Sequence, residues 1–183
     1  MRSDLRIAVA GMQRVNRAAA SLAGVAILLM MMVGAADVVM TNLNLFGSAS
    51  RPIPATTEFM ATMMVVAVFL GLSLAQQRRS HIQMDVSQFT RPAIRRLLEA
   101  AHHLSHGFLY GMIAVFGWGA AGHAFDVGEF AAGAYDFPIW PARLVLAAGA
   151  SLMTLQCIVD LAAVFWPALR AAPDDLPAKP NTI

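Results

Sequence analysis

The chain alternates four long apolar stretches with shorter polar ones. The first covers about residues 18 to 40 and contains Ile27-Leu28-Leu29-Met30-Met31-Met32-Val33; the others cover about 55 to 77, 97 to 124 and 139 to 166. Each reaches the ~20 residues that an α-helix, rising about 1.5 Å per residue, needs to cross ~30 Å of hydrocarbon. A spanning strand would need only ~10 residues of alternating polarity, and no such alternation is present. Lipid offers no hydrogen-bond partners, so the backbone groups of each stretch have to bond within a helix. The pattern predicts an all-α membrane protein with four transmembrane helices, divided into an N-terminal segment 1–17, a transmembrane domain 18–168 and a disordered tail 169–183. The tail expectation rests on Pro167, Pro173, Pro177 and Pro180, which break helices and favour extended chain.

Composition supports this class. Hydrophobic residues make up 58% and charged residues 13%, with mean hydropathy +0.60, whereas a soluble domain carries roughly a quarter charged residues. Four spans use nearly the whole length. The single cysteine, Cys157, excludes an intramolecular disulfide and any CxxC motif, and with them the quinone-linked disulfide oxidases. The first stretch follows basic residues and contains Val33-Gly34-Ala35, which resembles a signal-peptidase site. Its apolar run exceeds the ~7–15 residues of a signal h-region, so it reads as a retained span.

Charge placement sets the expected orientation. Arg2, Arg6, Arg14 and Arg17 precede span one; Arg78, Arg79, Arg91, Arg95 and Arg96 lie between spans two and three; Arg170 and Lys179 follow span four. Eleven of the thirteen basic residues thus share one side, leaving Arg51 and Arg143 on the other with Asp126, Glu129 and Asp136. The positive-inside rule then puts both termini on the cytoplasmic side of the membrane. Trp140 and Trp166 flank span four, where amphipathic rings meet headgroups. Pro141 is tolerable in that helix's first turn.

The central connection carries further signals. Thr90 is a candidate cap for a helix beginning at Arg91-Pro92. In it Ile94, Leu97, Leu98 and Ala101 share a face, with Arg91, Arg95 and Arg96 largely elsewhere. This predicts an interfacial amphipathic helix before the third span, its arginines toward anionic lipid headgroups. The simpler reading, that these arginines only fix topology, is compatible with it.

Ionisable residues inside spans are costly and mark candidate sites. Asp37, Glu58 and Arg143 fall at similar depth on the outer side, so an ion pair of Arg143 with Asp37 or Glu58 is expected. Such a cluster would hold the bundle together, meet a partner subunit or line an ion pathway. At the inner end Glu99, His102, His103 and His106 occupy the start of span three. Glu99 and His102 have the ExxH spacing of di-metal bundles, but no second copy exists. Bis-histidine haem would need histidines on facing helices, and His123 and His81 are elsewhere. No metal or cofactor is therefore expected, and the histidines are assigned to headgroups or to Asp160 of span four. Gly107 and Gly111 form a GxxxG, with Gly117, Gly119 and Gly122 beyond, for close helix approach within the chain or with another protein. The methionines read as filler or lipid-facing. P-loop, GxSxG and HExxH motifs are absent, as is an inverted repeat, so a non-enzymatic component is expected, with no nucleic-acid partner.

The stretch Glu58-Phe-Met-Ala-Thr-Met-Met-Val-Val-Ala-Val-Phe-Leu-Gly71-Leu-Ser-Leu-Ala75-Gln-Gln-Arg78-Arg79-Ser-His81-Ile82-Gln-Met-Asp85 resembles the small membrane subunit of tripartite ATP-independent periplasmic (TRAP) transporters, the DctQ-like family. That family shows an early glutamate in span two, then glycine and alanine, then a basic pair and His-Ile/Val-x-x-Asp. Pro138-Ile139-Trp140 also looks like it, while Ser80 stands where glycine or a basic residue is common. The resemblance covers about residues 15 to 168. It implies a scaffold for a large DctM-like subunit that moves a carboxylate-bearing solute inward with sodium, the solute being delivered by a periplasmic substrate-binding protein. It also implies structural and interfacial roles for Glu58, Arg78, Arg79, His81 and Asp85. The alternatives are a cytochrome b type anchor of a redox complex and a self-sufficient small transporter using Asp37 or Glu58.

Overall fold

A computed structural model describes residues 2–42, 49, 52–77, 92–133 and 135–165. Among these, four helices carry the fold: α1 (Arg2–Thr41), α2 (Thr56–Gln77), α3 (Pro92–Val127) and α4 (Trp140–Phe165). All four are long and apolar enough to cross a membrane. The protein is an all-α, four-span membrane protein.

Two helices outrun the expected spans. At 40 residues α1 is about 60 Å long, and at 36 residues α3 is about 54 Å, against ~30 Å of hydrocarbon. Residues 2–17 are therefore helical and continuous with span one. Likewise the segment from Pro92 to Leu98 forms the opening turns of α3 itself rather than a separate interfacial helix. The physical reason is local. Between Pro92 and Gly107 there is no Pro or Gly to break the helix, and Ala93, Ala100 and Ala101 favour its continuation. Ile94, Leu97 and Leu98 are exposed on it.

The helix ends have identifiable causes. Pro92 opens α3, where its missing N–H costs nothing. At the other end the N–H of Gly128 donates to the Phe125 carbonyl (3.3 Å) and that of Glu129 to the Ala124 carbonyl (2.9 Å). With Gly128 at φ +64°, this is a Schellman stop, which requires the left-handed conformation that glycine adopts without penalty. At the start of α2, Ala55 caps the helix at φ +57°, a conformation costing a residue with a Cβ about 1–2 kcal/mol. Its carbonyl accepts from Phe59 N at 3.0 Å.

The helices pack in the order α1–α2–α4–α3, with α1 touching α4 only marginally. Neighbour contacts fix the directions: Ala23 meets Gly71, Phe69 meets Gly149, and Cys157 meets Gly107. So α2 and α4 run parallel, with α1 and α3 antiparallel to them on the outside. One end of the row carries the α1–α2 and α3–α4 connections, here the hairpin end. The opposite end carries the N-terminus of α1 and the start of α3, here the basic end.

Small residues let the inner helices approach closely. A methyl group at Gly149 would lie 2.7 Å from the Phe69 carbonyl oxygen, and one at Gly117 would lie 3.3 Å from Ala147 Cβ. Gly107 and Gly111 also face α4, beside Cys157 and Thr154. The GxxxG is thus an internal seam between α3 and α4. Gly119 and Gly122 meet nothing within 4 Å.

Candidate functional site

At the hairpin end three ties fix the connections. Arg143, one turn into α4, donates from both guanidinium nitrogens to Glu129, at 2.6 and 2.9 Å. Such a bidentate fork is directional as well as attractive. Arg143 therefore pairs with Glu129, not with the expected Asp37 or Glu58. The Schellman stop at Gly128 turns the chain so that Glu129 faces the first turn of α4, an outcome invisible in depth arguments. Asp37 instead accepts the Ile53 N–H at 2.7 Å, joining the end of α1 to the approach of α2. The Glu58 carboxylate occupies the space beside the Gly133 Cα, where a side chain would collide with it. Glu58 thus lies against the α3–α4 connection.

That connection is itself ordered by backbone bonds. Phe130 and Pro138 form an antiparallel bridge, flanked by Ala131 N to Phe137 O at 2.8 Å and Ile139 N to Glu129 O at 3.2 Å. Trp140 packs edge-on against Phe125, ring centroids 5.5 Å apart. Further along the same seam the Trp118 indole donates to the Ser151 hydroxyl at 3.1 Å.

Toward the basic end a chain of side-chain hydrogen bonds crosses all four helices. Asn16 Nδ2 of α1 donates to Gln156 Oε1 of α4 at 2.8 Å, and Gln156 Nε2 donates to Asp160 at 3.1 Å. Gln76 Nε2 of α2 lies 3.5 Å from the other Asp160 oxygen and 3.4 Å from His103 Nδ1 of α3. Asn16, Gln76, His103 and Gln156 are buried. Both amides point their N–H groups at the Asp160 carboxylate, which offsets part of the cost of holding it among helices. The Ser73 hydroxyl, one turn before Gln76, is fully buried with no hydrogen-bond partner among the described residues. Gln156 lies 16 residues, or about 24 Å, into α4 from Trp140, so the chain of bonds sits in the last part of the hydrocarbon.

His103 and Asp160 therefore reach one cluster, as the sequence suggested, with Gln76 between them. His106 does not join it. Its Nδ1 donates to the His102 carbonyl at 2.9 Å on the outward side of α3. No three His, Cys, Asp or Glu among the described residues are placed to hold a metal ion. Arg78, Arg79, His81, Asp85, Arg91 and Trp166 lie outside the described residues, as does the side chain of Arg95; Arg96 is exposed. Sequence reasoning weighed ionisable groups and missed the amides. The signal available was spacing: Gln13 with Asn16, Ser73 with Gln76, and Gln156 with Asp160 each repeat at three or four residues, one helical face.

The family of tripartite ATP-independent periplasmic transporters, DctQ component, matches residues 30–165. The chain belongs to this family. It is the small permease subunit of a TRAP transporter, a multi-pass inner-membrane component that works beside a DctM-type membrane subunit and a binding protein. No match is found among curated proteins or among solved structures. The match spans α2 through α4 and the last three turns of α1, and it favours a transporter component over a redox anchor.

Proposed function

We propose that this DctQ component is the stationary scaffold on which the large subunit moves a carboxylate-bearing solute inward with sodium. Both termini and the basic end face the cytoplasm on this reading, in keeping with the placement of eleven of the thirteen basic residues. The observation that carries the scaffold role is the cross-bracing. Asn16, Gln76, His103, Gln156 and Asp160 link four helices at one end, and Arg143, Glu129, Asp37 and Glu58 fix the other. A row braced at both ends resists sliding of one helix past its neighbour, which a fixed support requires. The outer helices meanwhile present Leu22, Leu28, Met32, Phe108, Val115 and Phe116 outward, apolar surface suited to lipid and to a partner's helices.

Basic side chains at the headgroup level add resistance to tilting. Glu58, Asp37 and Arg143 act as structural residues here, and Arg78, Arg79, His81 and Asp85 are assigned to the interface with the large subunit. The test is reconstitution of this chain with the large subunit and binding protein in vesicles. Uptake should require all three and an inward sodium gradient, and the chain should co-purify with the large subunit. Arg95→Glu with Arg96→Glu should lower uptake while leaving insertion intact. Undiminished uptake without this chain, or with the double variant, would count against the scaffold role.

A further inference from the structure

We propose that His102 and His106 form a two-nitrogen site for a borderline divalent transition metal, of the Cu²⁺, Ni²⁺ and Zn²⁺ class, at the membrane boundary of the basic end. The two residues are four apart on α3, and their ring centroids lie 4.2 Å apart. Two imidazole nitrogens bound to one tetrahedral ion sit about 2.0–2.1 Å from it and so about 3.3 Å from each other. Rings already this close need only small side-chain rotations to reach that spacing.

The hydrogen bonding of His106 favours the same outcome. Its Nδ1 lies 2.9 Å from the His102 carbonyl, and a carbonyl oxygen only accepts. Nδ1 therefore carries the proton, and in the neutral ring Nε2 keeps its lone pair for a ligand bond. An imidazole whose second nitrogen is tied to a carbonyl is the arrangement metal-binding histidines use to fix tautomer and ring direction. His103, between them in sequence, turns inward to Gln76 and takes no part.

Position decides the remaining ligands. Gly107 faces Cys157 and Gly111 faces Thr154, so His106 is level with about Ile158, some 27 Å along α4 from Trp140. That depth is close to the edge of ~30 Å of hydrocarbon. His102 is exposed and His106 partly so, so water can complete the coordination sphere. Nitrogen ligands exclude the hard cations Mg²⁺ and Ca²⁺, which take oxygen, and the stability order among first-row ions places Cu²⁺ first.

The test uses the full chain, purified on a histidine-free tag and held in lipid nanodiscs, titrated with Cu²⁺. One equivalent should bind with an electron paramagnetic resonance signature of two nitrogens. His102→Ala and His106→Ala should each weaken binding at least about tenfold, which is about 1.4 kcal/mol, whereas His123→Ala should leave it unchanged. Zn²⁺ should raise the thermal midpoint of the parent chain and of neither variant at residues 102 and 106. A one-nitrogen signature, parent-like affinity in either the His102 or the His106 variant, or loss on changing His123 would overturn the assignment. Matching unfolding midpoints of the metal-free proteins establish that the variants remain folded.

Discussion

Replacing Gly149 by alanine tests the close crossing that sets the order of the row. The added methyl would lie 2.7 Å from both the Cβ and the carbonyl oxygen of Phe69 and 2.8 Å from its carbonyl carbon. Ordinary contact begins near 3.4 Å, so α2 and α4 would have to separate by roughly 0.7 Å. Overpacking of this kind costs about 1–3 kcal/mol, and a backbone neighbour, unlike a flexible side chain, cannot rotate away. Alanine recovers up to about 1 kcal/mol over glycine through helix propensity. The net expectation is a loss of about 1–2 kcal/mol. Gly119→Ala is the matched control, because nothing lies within 4 Å of that position; only the propensity gain should appear there. Reversible unfolding in mixed detergent micelles, followed by circular dichroism, measures both. Should Gly149→Ala prove as stable as Gly119→Ala, α2 and α4 do not cross at Phe69 and the row as described is wrong.

Other positions give independent checks. Gln156→Leu removes the acceptor of the buried Asn16 amide and should cost about 1–2 kcal/mol by the same unfolding assay, within the range of a lost buried or intramembrane hydrogen bond. Gly133→Ala meets only the far end of the flexible Glu58 side chain, which can rotate away, so it should cost far less than Gly149→Ala, and whatever cost appears should vanish in the Glu58→Ala background of a double-mutant cycle. The Arg143–Glu129 pair is partly exposed, so its coupling energy should be no more than about 1 kcal/mol and should shrink as salt is raised. Ala55→Gly should stabilise the chain by up to about 1 kcal/mol, because it relieves the positive φ at the cap of α2; a loss of stability would show that no strain is held there.

Much of the hairpin-end and basic-end chemistry lay partly in view in the sequence. Asp37, Glu58 and Arg143 stood out as ionisable groups of similar depth, and His103 and Asp160 were matched across two helices. Their actual partners were not legible. Arg143 meets Glu129 because the stop at Gly128 returns the chain toward α4, and Glu58 meets Gly133 because α2 and α4 start at the same end. Gln76 and Gln156 escaped notice because neutral amides cost less in a span than charges and so do not interrupt an apolar run.

The sequence by itself determined four membrane-crossing helices, the start of α3 at Pro92 and the concentration of arginines at one end. These follow from local properties: the length of an apolar run, the φ of proline and the sign of a charge. Only the tertiary structure decided the order α1–α2–α4–α3, which glycines are seams and which are open, and that α3 continues unbroken from the basic segment into the membrane. Periodicity tells which residues share a face of one helix. Which neighbour that face meets depends on how closely two backbones can approach, and here that is decided where Gly149 meets Phe69 and where Gly107 meets Cys157.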